Sequence, residues 1–263
     1  MRLLIPTHLV SNRLVAITLA LAALGLTAGT AHAFVPAGED LVYEVDGEAF
    51  EGYLASAEGE SRGTVLIIHD WDGLDDYERR RADMLAKQGY DAFAADLYGQ
   101  GNRPQEVEKK RTETARLYED RERMRTLTLA GLTEARQRGA AEEAVVIGYC
   151  FGGAVALELA RSGEAASVQG YASFHGGLAT PEGQQWPENV GPLLIAHGGA
   201  DSAIPMSQVA TLAEELEAAE ATYEIQVYSG APHAFTVFGS DAYRERADAK
   251  SWAAFLELLE KAL

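Results

Sequence analysis

Short apolar runs alternate with stretches of helical composition along most of the chain. Runs at 64–69, 91–95, 144–147, 168–174, 192–197 and 223–228 read as strands, and TVLIIH at 64–69 has the pattern of one buried on both faces. Helices are predicted over 77–88, 151–161, 206–218 and 241–263. Asp75 or Asp76 is placed to cap the first of these, and Gly89 to close it. Pro104 opens a charged helical region to about Arg138, read as two helices with a break near Asp120. Ahead of all this, residues 40–57 alternate polar and apolar around Asp46-Gly47, the signature of a β-hairpin. Strands alternating with helices predict an α/β fold, a mostly parallel central sheet with helices on both faces. With no repeat or linker, residues 34–263 read as one domain.

In such sheets the functional loops lie beyond the carboxyl ends of the strands. Asp70-Trp71, Cys150, Asp201 and His233 each follow a predicted strand directly, so they are expected on one rim. The sharpest signal among them is Gly148-Tyr149-Cys150-Phe151-Gly152-Gly153, between a strand and a helix. Strand, tight turn, reactive side chain and helix together make a G-x-Nuc-x-G elbow, here with cysteine as the nucleophile. The glycines remove side chains that would collide around a strained residue, and the helix aims its free N–H groups at the turn. A small buried cysteine in a glycine-rich turn would also satisfy the hexapeptide alone.

The order nucleophile, acid, histidine (Cys150, Asp201, His233) is that of the α/β-hydrolase fold. A thiol near its reference pKa of ~8.5 is mostly protonated at neutral pH and needs a base. His233 can supply one, and Asp201 can hold its tautomer. The backbone N–H groups of Trp71 and Phe151 are the expected oxyanion hole.

Taken together, these stretches resemble the dienelactone hydrolase family, cysteine-based α/β-hydrolases of the carboxymethylenebutenolidase type. The likeness is carried by the elbow, by Asp96-Leu97-Tyr98-Gly99, by Gly199-Ala200-Asp201 ahead of Pro205, and by Gly230-Ala231-Pro232-His233-Ala234-Phe235. It implies an ester or lactone hydrolase acting through an S-acyl intermediate, with no metal or organic cofactor. It also implies that Asp70, at the position of a family acid that is usually Glu, modulates the thiol. A helix-capping acid is the competing role for Asp70. Trp71 and Tyr98 are expected as pocket walls, with Tyr98 a substrate contact. The family's carboxylate-gripping Arg shortly after the histidine is replaced by Val237. A basic residue from the 105–125 helices, or Arg244, is the expected compensation if an anionic substrate is used. General carboxylesterase or thioesterase activity on neutral esters is the neighbouring alternative, and a non-catalytic binding protein on the same fold the more distant one.

Composition changes the picture at the N-terminus. Arg2 and Arg13, an apolar run at 14–26 and Ala31-His32-Ala33 form the layout of a secretory signal peptide, cleaved before Phe34. A 13-residue run falls short of the ~20 residues of a membrane span. Residues 34–263 are therefore expected in the periplasm or outside the cell. Cleavage removes two arginines and no acid, taking the net charge from −18 to −20. Such a surface repels nucleic acid and anionic membranes. The four histidines after residue 33 (His69, His175, His197, His233) show no metal-binding spacing. A lone cysteine in an exported protein has no intramolecular partner, which favours a chemical role for Cys150. The protein is expected to act as a monomer on a small-molecule ester or lactone.

Overall fold

The computed structural model describes residues 34–188 and 190–263, and the predicted signal peptide lies outside the described residues. The chain opens with strands β1 (Glu39–Val45) and β2 (Glu48–Ala55), paired antiparallel. Their turn is Asp46-Gly47, with φ of 53° and 80°. Two successive positive φ angles give the turn the twist that a hairpin needs. Then follow β3 (Thr64–Ile68), α1 (Asp76–Ala86), β4 (Asp91–Ala95), α2 (Val107–Glu119), α3 (Arg121–Gln137), β5 (Ala144–Tyr149) and α4 (Phe151–Ser162). The chain ends with β6 (Val168–Phe174), β7 (Leu193–Gly198), α5 (Met206–Ala218), β8 (Tyr223–Tyr228) and α6 (Glu245–Ala262).

The eight strands form one sheet in the order β1-β2-β4-β3-β5-β6-β7-β8, parallel from β4 through β8. β2 joins it antiparallel to β4. Sequence neighbours β3 and β4 lie side by side, then the chain crosses to the other flank of β3 to lay down β5. The direction of winding thus reverses around β3, and crevices open at such a switch point beyond the strand ends.

Alternate residues of the inner strands face opposite layers. Leu66, Ile68 and Val146 share a core with Met124 and Leu127 of α3, Val155 and Leu159 of α4 and Leu212 of α5. Val65, Ile67, Val145 and Ile147 face Leu85 of α1 and Phe255, Leu258 and Leu259 of α6. Burial on both faces explains why these strands read as continuous apolar runs.

Helix punctuation follows local chemistry. Asp75 caps α1, accepting the Tyr77 N–H at 2.7 Å, while Glu78 reaches back to the Asp75 N–H at 3.1 Å. Asp120 separates α2 from α3 and accepts the Arg123 N–H at 2.9 Å. The last helix starts at Glu245 rather than near Asp241. Consecutive turns (Val237 N–H to Ala234 O, Ser240 N–H to Val237 O, Tyr243 N–H to Ser240 O) occupy the intervening segment, and Gly239 takes φ 75° within it.

Candidate active site

The loops after β3, β5, β7 and β8 meet on the rim formed by the carboxyl ends of the parallel strands. Cys150 stands between β5 and α4 with φ 51° and ψ −109°, a conformation costing about 1–3 kcal/mol that persists only where surroundings impose it. Gly148 and Gly152 make the close approach possible. A Cβ on Gly148 would lie 2.0 Å from the Gly152 carbonyl oxygen, and one on Gly152 would lie 2.2 Å from that of Ile68.

From this tip the Cys150 sulfur meets His233 Nε2 at 3.0 Å, and His233 Nδ1 meets Asp201 Oδ2 at 2.8 Å. The acid fixes the tautomer. Nδ1–H donates to Asp201, leaving Nε2 to accept the thiol proton. Asp201 is itself anchored, its Oδ1 accepting the N–H groups of Ala203 at 2.8 Å and Ile204 at 2.9 Å. Burial pushes the Cys150 thiol up to about 12, the nearby Asp70 charge adds to that, and the Phe151 N–H opposes it. The resting sulfur is therefore a protonated thiol in contact with His233 Nε2. Such a row can move a proton from sulfur to nitrogen as the sulfur attacks.

Cys150 and His233 open into a cleft of about 390 Å³, bounded by Trp71, Tyr118, Phe151 and Ile204, with Asp70 and Thr114 on its lining. Trp71 and Phe151 thus line the same cleft as Cys150. Asp70 is not a helix cap, because Asp75 takes that place. Its Oδ1 accepts the Asp72 N–H at 2.8 Å. Burial pushes its carboxyl up to about 7, the Asp72 N–H opposes this, and the charges of Asp72 and Asp75 add to it.

Tyr98 departs from its expected place. It is buried behind the cleft rather than lining it, its hydroxyl donating to the Trp71 carbonyl at 3.4 Å and its ring edged against His69 at 4.6 Å. It supports the Trp71 loop, and so does His69. His69 Nε2 accepts the Leu97 N–H at 3.1 Å, leaving Nδ1–H to donate to the Asp70 carbonyl at 2.6 Å. Burial lowers His69 to about 4, which keeps it neutral.

The expected compensating cation is not at the site. Among the described residues no lysine or arginine lines this cleft. Lys110 lies over the Trp71 ring but is paired with Asp72, and Arg121 is paired with Glu158 at 2.9 Å. Arg244 bonds the carbonyls of Asp241 and Tyr243. Val237 packs into the α1/α6 core.

Sequence reasoning missed Tyr118 and Glu78. Tyr118 follows Leu117, the one buried residue of α2, and sets its ring edge-on to Phe151 at 5.5 Å. Glu78 is signalled by the D-x-x-E capping pattern that it completes with Asp75.

The chain is 28% identical over 204 residues to a protein of Salmonella typhimurium (strain LT2) provisionally named a carboxymethylenebutenolidase, covering 73% of this chain and 75% of that protein. A Bradyrhizobium protein provisionally named a lactonase is 26% identical over 79% of this chain and 87% of its own length. Two solved structures superpose with a TM-score of 0.76 over 86% of this chain and 98% of theirs. One is named m3DLH, 30% identical, and the other is a dienelactone hydrolase-like promiscuous phosphotriesterase from metagenomic libraries, 26% identical. The dienelactone hydrolase family model matches residues 50–263, and with the α/β-hydrolase sheet and the rim just described the chain belongs to that family of hydrolases.

Proposed function

We propose that the protein cleaves neutral carboxylic esters or lactones through an S-acyl intermediate on Cys150. The sulfur attacks the carbonyl carbon while His233 Nε2 takes the thiol proton. The negative charge that develops on the carbonyl oxygen is met by the N–H groups of Trp71 and Phe151. Collapse breaks the C–O bond, and His233 returns its proton to the departing oxygen. Water, deprotonated by His233, then attacks the thioester, releasing the acid and restoring the thiol. Asp201 keeps the ring oriented and stabilises its protonated form. This reading is carried by one observation, the unbroken row from Cys150 Sγ through His233 to Asp201 opening into the cleft.

The same cleft supports a neutral substrate. Its wall is largely apolar, and among the described residues its one carboxyl belongs to Asp70 and no lysine or arginine is there to receive a substrate carboxylate. Matched aryl esters with and without a carboxylate provide the test, and kcat/KM should favour the neutral member by at least about tenfold, since an unpaired buried charge costs over 1.4 kcal/mol. Intact-mass detection of an acyl adduct on wild-type protein, absent from Cys150→Ala, checks the covalent step. Equal turnover by Cys150→Ala would overturn it.

The leader at residues 1–33 supports export, with Phe34 the first residue of the mature chain. Mass spectrometry of the native protein reads this directly, and a retained Met1 would contradict it.

A further inference from the structure

His175 follows β6 with φ 43°, a backbone conformation uncommon for a residue with a side chain. It is buried, and its ring lies 5.3 Å from that of His233, centroid to centroid. Its Nδ1 accepts the main-chain N–H of Cys150 at 3.2 Å, an N–H shared with the Phe174 carbonyl at 3.0 Å. Because Nδ1 accepts, the ring proton sits on Nε2 and donates to Thr236 Oγ1 at 2.7 Å. Thr236 lies three residues after His233 on the same loop. Its hydroxyl also meets Tyr77 Oη at 2.7 Å, and its carbonyl accepts from Arg81 at 3.0 Å.

One neutral imidazole therefore bonds the nucleophile's own amide on one side and the loop of the general base on the other. We infer that His175 is a positioning residue that, through Thr236, sets the register between Cys150 and His233. Neither residue lines the cleft. Two loops from strands on either side of β6 and β7 have no peptide link near the site. The separation of sulfur from Nε2 is then set by whatever bridges the loops, and His175 is a bridge of fixed length. A misplacement of about 1 Å at a reacting pair can cost on the order of a hundredfold in rate.

This role presupposes the cysteine chemistry proposed above. The measurements are kcat and KM on a neutral aryl ester, the alkylation rate of Cys150 by iodoacetamide, and the melting temperature, for wild type and four variants, with kcat alone for Cys150→Ala. Thr236→Val deletes the hydroxyl at nearly constant volume and should lower kcat about tenfold to hundredfold, with KM within about twofold. Alkylation should slow in parallel. Thr236→Ser keeps the hydroxyl and should restore kcat to near the wild-type value. His175→Asn tolerates the positive φ and keeps an acceptor for the Cys150 N–H, yet is too short to reach Thr236. It should match Thr236→Val, and His175→Asn/Thr236→Val should be no slower than either alone. Wild-type kcat and alkylation in Thr236→Val would overturn the linkage. So would an equal defect in Thr236→Ser, or multiplying losses in the double variant. Activity retained by Cys150→Ala defeats the underlying chemistry instead, so the two failures are told apart.

Discussion

The main-chain N–H of Asp70 donates to the buried carboxyl of Glu78 at 3.4 Å, so two acids share one corner beside Cys150. Burial raises Glu78 well above the usual carboxylate range, and the charge of Asp70 raises it further. With Asp70 itself near 7, this corner holds a proton that the unfolded chain would have released at about pH 4.

A folded state that binds the proton more tightly loses stability as that proton leaves. For Asp70 the native advantage is full below about pH 4 and declines as pH rises towards 7. Asp70→Asn removes the titration while still accepting the Asp72 N–H. Its melting temperature should match wild type at pH 4 and exceed it at pH 8. A gap of constant size across that range would show that Asp70 does not titrate between the two values.

Cys150 and His233 act as a unit if their 3.0 Å contact is the proton path. Cys150→Ala and His233→Ala should each lower kcat by at least about a thousandfold, and the double variant should be no slower than either. Multiplying losses in steady-state kinetics would mean that sulfur and imidazole serve separate steps.

Much of this was legible in the residues because the relevant signals are local. Asp46-Gly47 reports its own turn, Asp120 its own helix break, and Gly148 and Gly152 the crowding around Cys150. Cys150, Asp201 and His233 could be placed on one rim because each directly follows a parallel strand. What stayed hidden depends on contacts between distant segments. Tyr98 and His69 turn away from the cleft because each has a polar partner in the Asp70–Trp71 or Leu97 backbone, 28 residues apart for His69 and Leu97. The start of α6 was misplaced because the turns at 236–243 are held from outside, by Arg81 on the Thr236 carbonyl and by Arg244 N–H on that of Phe235.

Arg81 makes that external hold testable. It is buried, paired with Asp248 of α6, and lies within 4.3 Å of the Phe238 ring and 5.0 Å of the Trp252 ring. Removing one partner leaves an uncompensated buried charge, so Arg81→Met should cost about 3–5 kcal/mol in urea unfolding. Arg81→Met/Asp248→Leu should regain part of that loss, because no charge is then stranded. A double variant weaker than the single by the full cost of Asp248→Leu would instead make the two contributions independent.

The elbow's spacing is tested at Gly152. A Cβ there would stand 2.2 Å from the Ile68 carbonyl oxygen and 2.5 Å from that of His69, both main-chain atoms of the strand end beneath. Neither can swing aside as a side chain could. Gly152→Ala must push the start of α4 away from the end of β3, at a cost of about 1–3 kcal/mol or more. The same movement shifts Phe151, whose N–H is part of the proposed oxyanion hole, so kcat should fall with the melting temperature. At Gly191 the nearest atom to an added Cβ is the Gln169 carbonyl oxygen at 3.4 Å, ordinary contact, and its φ is not positive. Gly191→Ala should leave both quantities close to wild type. Equal behaviour of the two alanine variants would show that the β3–α4 approach is not what confines the nucleophile.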